Sequence, residues 1–149
     1  MKAITLTQPW ASLVAVGAKT IETRSWSTNY RGPLAIHAAK GWKRADRDLL
    51  LPTGYGGTTN PFYRALSPFV PSVDADRGHV IAIVTLIACR HIGWDGLNPM
   101  TLTEEERAFG NYQSGRYAWV LDNVRILAAP VPARGALGLW EWDNPEERA

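Results

Sequence analysis

The stretch from Gln8 to Trp26 constrains the fold of this chain more than any other. Pro9 suits the first turn of a helix. Trp10, Leu13, Val14 and Gly17 then recur at i, i+3, i+4 and i+7, which is one helical face ending on a glycine stop. Thr20 to Arg24 reads as a strand in which alternation sends Ile21 and Thr23 to one side and Glu22 and Arg24 to the other. Lys19 stands at the strand's entrance. Three charges of both signs thus fall within six residues, bracketed by Trp10 and Trp26. A strand that only filled a core would not carry them, because unpaired buried charges are costly. Either the charges line a ligand cleft, or Glu22 pairs with Lys19 or Arg24 and merely braces the sheet.

The flanking segments say what this unit packs against. Lys2–Leu6 is a first strand. Leu34–Ala38 is a third, with Leu34, Ile36 and Ala38 inward and His37 opposite. Residues 41–51 place Trp42, Ala45, Leu49 and Leu50 at helical spacing, leaving Lys43, Arg44 and Arg47 on a basic side. Residues 52–61, with Gly54-Tyr55-Gly56-Gly57, read as a long irregular loop. A short helix is expected around Tyr63–Leu66. His79–Cys89 is the clearest long strand, rich in Val and Ile. Thr103-Glu104-Glu105-Glu106 forms a capping box, its acids complementing a helix dipole. Strands follow over Tyr117–Val124, ending near the Pro130–Pro132 break, and over Leu137–Trp142. Residues 144–149 read as a frayed acidic tail. This order argues against a parallel doubly wound sheet and for an α+β, mixed β-barrel with small flanking helices.

Composition enters where it restricts function. A chain of 149 residues, 46% hydrophobic and 20% charged, fits one globular domain over 1–149. Seven tryptophans exceed what such a core needs, so some are expected at a surface or cleft. Residues 1–50 hold eight Lys/Arg against three acids, while the rest hold eight against eleven. A basic, Trp-rich front half suits an anionic ligand, nucleic acid included. The lone cysteine, Cys89, excludes an internal disulfide and reads as an inert thiol in a reducing compartment. With no signal-peptide pattern and no apolar run near the ~20 residues that cross a bilayer, a soluble cytoplasmic protein is expected. His37, His79 and His91 show no metal-ligand spacing, and neither a nucleophile elbow nor a phosphate loop occurs. No metal or cofactor is expected, and oligomeric state is left open.

Gly17, Lys19, Glu22 and Arg24 match Gly-x-Lys-x-x-Glu-x-Arg, the signature of the ASCH domain family in the PUA-like superfamily, which this chain resembles. Gln8-Pro9-Trp10-Ala11, Trp26–Gly32, Ile36-His37-Ala38, Phe109–Tyr112, Gly115–Trp119 and Val131–Gly135 extend the resemblance from residue 4 to 142. It implies a PUA-like barrel of five to six strands, helices framing a cleft beside the signature, and RNA or other nucleic acid as partner. Some small members hydrolyse N4-acetylcytidine, and some are described as nucleases.

Two chemistries follow for the cleft. In a binding role, Lys19, Arg24 and Arg31 hold phosphate, Arg as a bidentate fork. Trp10, Trp26 or Tyr30 stacks a base, and Glu22 accepts from an exocyclic amine. Gln8 and His37 join the candidate lining, with Arg116 and Arg134, each next to a glycine, as a second tier. In a hydrolytic role, Lys19 matches the catalytic lysine that the resemblance implies. Glu22, however, occupies the place of the nucleophilic threonine, so it would act as a base on water and no acyl-threonine would form. A third class, a protein-interaction module, is favoured if the tryptophans form a flat apolar patch.

Overall fold

The computed structural model describes residues 1–52 and 59–148. Its sheet has six strands in the order β2-β5-β4-β3-β1-β6. They are β1 (Lys2–Leu6), β2 (Ile21–Arg24), β3 (Gly32–Ala38), β4 (His79–His91), β5 (Tyr117–Pro132) and β6 (Trp140–Glu141). Only β1 and β3 run parallel; every other neighbour is antiparallel. Five short helices accompany them: α1 (Trp10–Ala15), α2 (Arg44–Asp48), α3 (Pro61–Leu66), α4 (Val70–Ala75) and α5 (Glu104–Ala108). The fold is therefore α+β on a mixed sheet, as expected. The ladder itself is open: β2 and β6 are its two ends and do not pair with each other, so it does not close into the anticipated barrel.

β3 is central enough that Leu34–Ala38 is buried on both faces. One face packs Leu34, Ile36, Val84, Leu86 and Trp119 against Ala11 and Val14 of α1. A second cluster joins Leu13 of α1 to Phe62, Leu66, Val73 and Phe109. α1 is thus wedged between the sheet and the small helices. Val16 caps it, and Gly17, at φ +81°, turns the chain back so that the amides of Ala18 and Lys19 both donate to the Leu13 carbonyl. A side chain at that φ is strained, which is why glycine stands there.

Several boundaries differ from expectation. β5 does not stop at Pro130 but continues to Pro132, pairing with His79 and Val80 of β4. β2 covers only Tyr117–Val120 of β5, so farther along one side of β5 is an open edge, where a proline's missing N–H loses no ladder bond. Register shifts along β4 and β5 bend this long pair. β6 keeps only Trp140 and Glu141, with Gly138 at φ +67° and Leu137 fully exposed before it. The helix expected over 41–51 shrinks to α2, and α4, which carries Pro71 in its first turn, went unanticipated. The tail is ordered at its root: Asn144 is buried and its side-chain Oδ1 accepts from the Glu146 amide. The Gly54–Gly57 loop lies outside the described residues. Among those described, no helix is long and apolar enough to cross a membrane.

Candidate functional site

β2 alternates as its sequence predicts. Ile21 and Thr23 are buried, while Glu22 and Arg24 point to the other, partly open side. That side is one wall of a cavity of about 650 Å³. The opposite wall is the end of β1, the first residue of α1 and the turn after α5. Trp10, Glu22, Arg24, Trp26 and Arg116 all line it, and Thr5, Thr7, Ser25, Gly110 and Asn111 supply further polar surface.

Charge at the cavity floor is organised around Glu22. Its Oε2 takes an Arg24 Nη2–H bond at 3.1 Å, and its Oε1 lies 3.6 Å from Lys19 Nζ and accepts from the Thr23 amide at 3.1 Å. Arg24 also donates to the Thr5 carbonyl at 3.0 Å, so one guanidinium bridges from β2 to β1 across the mouth. Its Nε is buried without a partner among the described residues, a donor left for a water or ligand acceptor.

Lys19 does not reach the cavity wall. Its side chain is 0% exposed and donates to the Phe109 carbonyl at 2.9 Å. Burial lowers the Lys19 pKa from the ordinary 10.5, opposed by the nearby Glu22 and Glu106 carboxylates. The reason lies in α5. Thr103 caps that helix by accepting from the Glu106 amide, as the capping box predicts. The Glu106 carboxylate, however, crosses to β2, accepting from the Thr20 and Ile21 amides and the Thr20 hydroxyl at 3.0 to 3.2 Å. It is buried, and far more than a dipole complement. Beside it the Tyr112 hydroxyl is buried without a partner among the described residues. Desolvation raises its pKa strongly, with Glu106 and Glu22 adding to the effect.

The aromatic wall is equally fixed. Trp119 is fully buried, sets its edge against Trp26 with centroids 4.7 Å apart, and donates from Nε1 to the Trp26 carbonyl. Trp10 meets Phe62 in the same edge-on manner at 6.0 Å. Both cavity tryptophans are therefore held from behind and remain partly open in front. Arg116 donates to the carbonyls of Asn111 and Thr23, tying the turn to β2. A Cβ on Gly110 would lie 2.9 Å from the Tyr112 ring and 3.3 Å from Thr23 of β2, so a side chain there would have to displace Tyr112.

The other candidates stand elsewhere. Gln8 is fully buried, donating to Ser12 and the Val73 carbonyl and accepting from the Ser12 amide, which fastens α1 to α4. Tyr30 donates to the Pro33 carbonyl, and Arg31 folds back on the carbonyls of Thr28 and Tyr30. His37 and Arg134 belong to a second cavity. The residues that sequence reasoning missed are Glu106, Thr5 and Asn111. Only the capping box hinted at the first, since a contact to β2 some 86 residues away leaves no local signal.

Activating signal cointegrator 1 of Mus musculus is 26% identical over 141 residues, covering 95% of this chain and 22% of that protein. The Homo sapiens protein of the same name is 26% identical over 137 residues, covering 92% and 21%. The chain thus spans about a fifth of the length of these relatives. The ASCH domain model matches residues 4–130, which takes in the floor, both cavity tryptophans and Arg116, and the chain therefore belongs to the ASCH domain family.

Proposed function

We propose that the cavity between β1, β2 and the turn after α5 binds RNA, or a nucleotide-like ligand, by one unstacked base. The observation that carries this reading is the pairing on one wall of an anchored, half-open tryptophan with a guanidinium that still has a buried donor to spare. Single-strand binders combine such a stacking platform with positive charge along the backbone path. Trp26 stacks the base, Arg24 and Arg116 meet its acceptor atoms or the adjoining phosphate, and Glu22 accepts from an exocyclic amine. Lys19 acts from behind by holding the Glu22 carboxylate in place.

Trp26→Leu keeps apolar packing against Trp119 but removes the stacking face. It is expected to weaken single-stranded RNA binding roughly 5- to 150-fold, from about 1–3 kcal/mol per stacked base. Raising salt is expected to weaken binding further through counterion release. Fluorescence anisotropy against labelled RNA checks both. Affinity unchanged in Trp26→Leu and insensitive to salt would reject the reading.

Hydrolysis at the same cleft rests on Glu22 facing the cavity, where it would activate water. Lys19, sealed behind it and engaged by the Phe109 carbonyl, is not placed to meet an oxyanion, which favours binding over turnover. On the binding reading, N4-acetylcytidine incubated with the protein yields no more cytidine than it does with Glu22→Gln. Product formation that the Glu22→Gln substitution abolishes would reverse this order.

A further inference from the structure

Thr5 faces two cavities. Its carbonyl accepts from Arg24 at the first, while its hydroxyl accepts from Trp140 Nε1 at 3.1 Å and lies 3.2 Å from His37 Nδ1 at the second. That second cavity, about 1000 Å³, is framed by the end of β3, the turn into β4 and the segment after β5. Gly135 closes in on the same residues: a Cβ there would lie 2.7 Å from the Thr5 hydroxyl and 2.8 Å from the His37 ring. A single strand residue is thus the partition between the two.

The second cavity has a one-sided charge. Lys40, Arg77 and Arg134 line it, and no carboxylate does. Arg77 is partly spoken for, bonded to Asp74 at 3.0 Å and to the Lys40 carbonyl. The side chains of Lys40 and Arg134 are exposed and make no ion pair or hydrogen bond among the described residues. His37 is buried between Thr5 and the Ala133 carbonyl, and desolvation lowers its pKa, so it contributes hydrogen bonding and not charge near neutrality. Two unpartnered cations in a concave site without acids attract an anion, and a neighbouring stacking cleft places a polyanion within reach.

We infer that the second cavity is a backbone subsite for single-stranded RNA, in which Lys40 and Arg134 hold a phosphate flanking the nucleotide seated in the first. The inference rests on the proposed function of the first cavity. It makes the ligand an oligonucleotide passing over Thr5, not a free nucleoside.

The experiment measures the salt dependence of binding a fluorescein-labelled single-stranded RNA dodecamer, between about 0.05 and 0.2 M salt. Native protein, Arg24→Ala and the double variant Lys40→Gln/Arg134→Gln are compared. Each neutralised phosphate contributes about 0.7 to the slope of log affinity on log salt, so the double variant, which gives up the one phosphate this pair holds, should lose about 0.7. Its thermal melt should match native, because neither side chain has a partner to lose. A double variant with native slope and affinity, while Arg24→Ala binds weakly, overturns the subsite and leaves the first cleft standing. Weakening in the double variant with native binding in Arg24→Ala overturns the first cleft and, with it, the path over Thr5. A native protein that leaves the dodecamer unbound overturns both.

Discussion

Truncation of Lys19 to alanine is expected to destabilise the fold by about 3–5 kcal/mol, the range for breaking one side of a buried ion pair. Three effects add. The Glu22 carboxylate loses a cation, the Phe109 carbonyl loses its donor, and the space of the longest fully buried aliphatic stem in the chain empties. Glu22 keeps Arg24 at 3.1 Å, which holds the expectation toward the lower end. Lys19→Met refills the volume without the charge and should cost less than alanine. Urea denaturation followed by tryptophan fluorescence separates the two. An alanine variant within about 0.5 kcal/mol of native, the usual range for surface substitutions, would mean that the ammonium is solvated. The pH response gives an independent check. Because the folded-state pKa of Lys19 lies below 10.5, the unfolded chain binds more protons in the interval between the two values. This group's contribution to native stability therefore rises with pH across that interval, and the gap between native and Lys19→Met should widen in favour of native.

Glu106→Ala is expected to be of similar size. One carboxylate satisfies two backbone amides and a hydroxyl at the entry to β2. Each buried donor left without a partner costs about 1–3 kcal/mol, and water entry at the partly exposed Thr20 recovers some of it. A net loss of roughly 3–4 kcal/mol follows from those per-group values. Glu106→Gln retains one acceptor oxygen but turns an NH2 group toward the remaining donors, so it should fall between alanine and native. Hydrogen exchange localises the effect: the Thr20 and Ile21 amides should lose protection first. Equal protection in native and Glu106→Ala would dismiss the clasp.

The front of the fold was legible in the sequence because its signals are local. Helical spacing from Trp10, the glycine stop and the alternation of Ile21 to Arg24 each act within a few residues, and α1 and β2 appear where they predict. The burial of Lys19 was not legible. A charged residue beside two others reads as exposed, and the long-range partners that offset part of the cost of burying it are the Phe109 carbonyl, 90 residues away, and the Glu106 carboxylate. Glu106 failed for the same reason. The capping box explains its amide and is silent about its carboxylate. β5 was cut short because Pro130 and Pro132 look like terminators, and only strand order reveals that they sit on an open edge. His37 was correctly turned from Ile36, but alternation cannot tell which cavity lies on that side.

The seclusion of Lys19 also divides the labour within the Gly-x-Lys-x-x-Glu-x-Arg pattern of this chain. Of its three charged members, the lysine is internal joinery with no exposed side chain, while the glutamate, held at both oxygens, and the arginine line the cavity. In this chain the pattern thereby sets a posture, with a carboxylate and a guanidinium held against each other at the cavity floor. In the binding role proposed above, Glu22 and Arg24 are the fixed polar pair, and Trp26, Asn111 and Arg116 are the surface set around it.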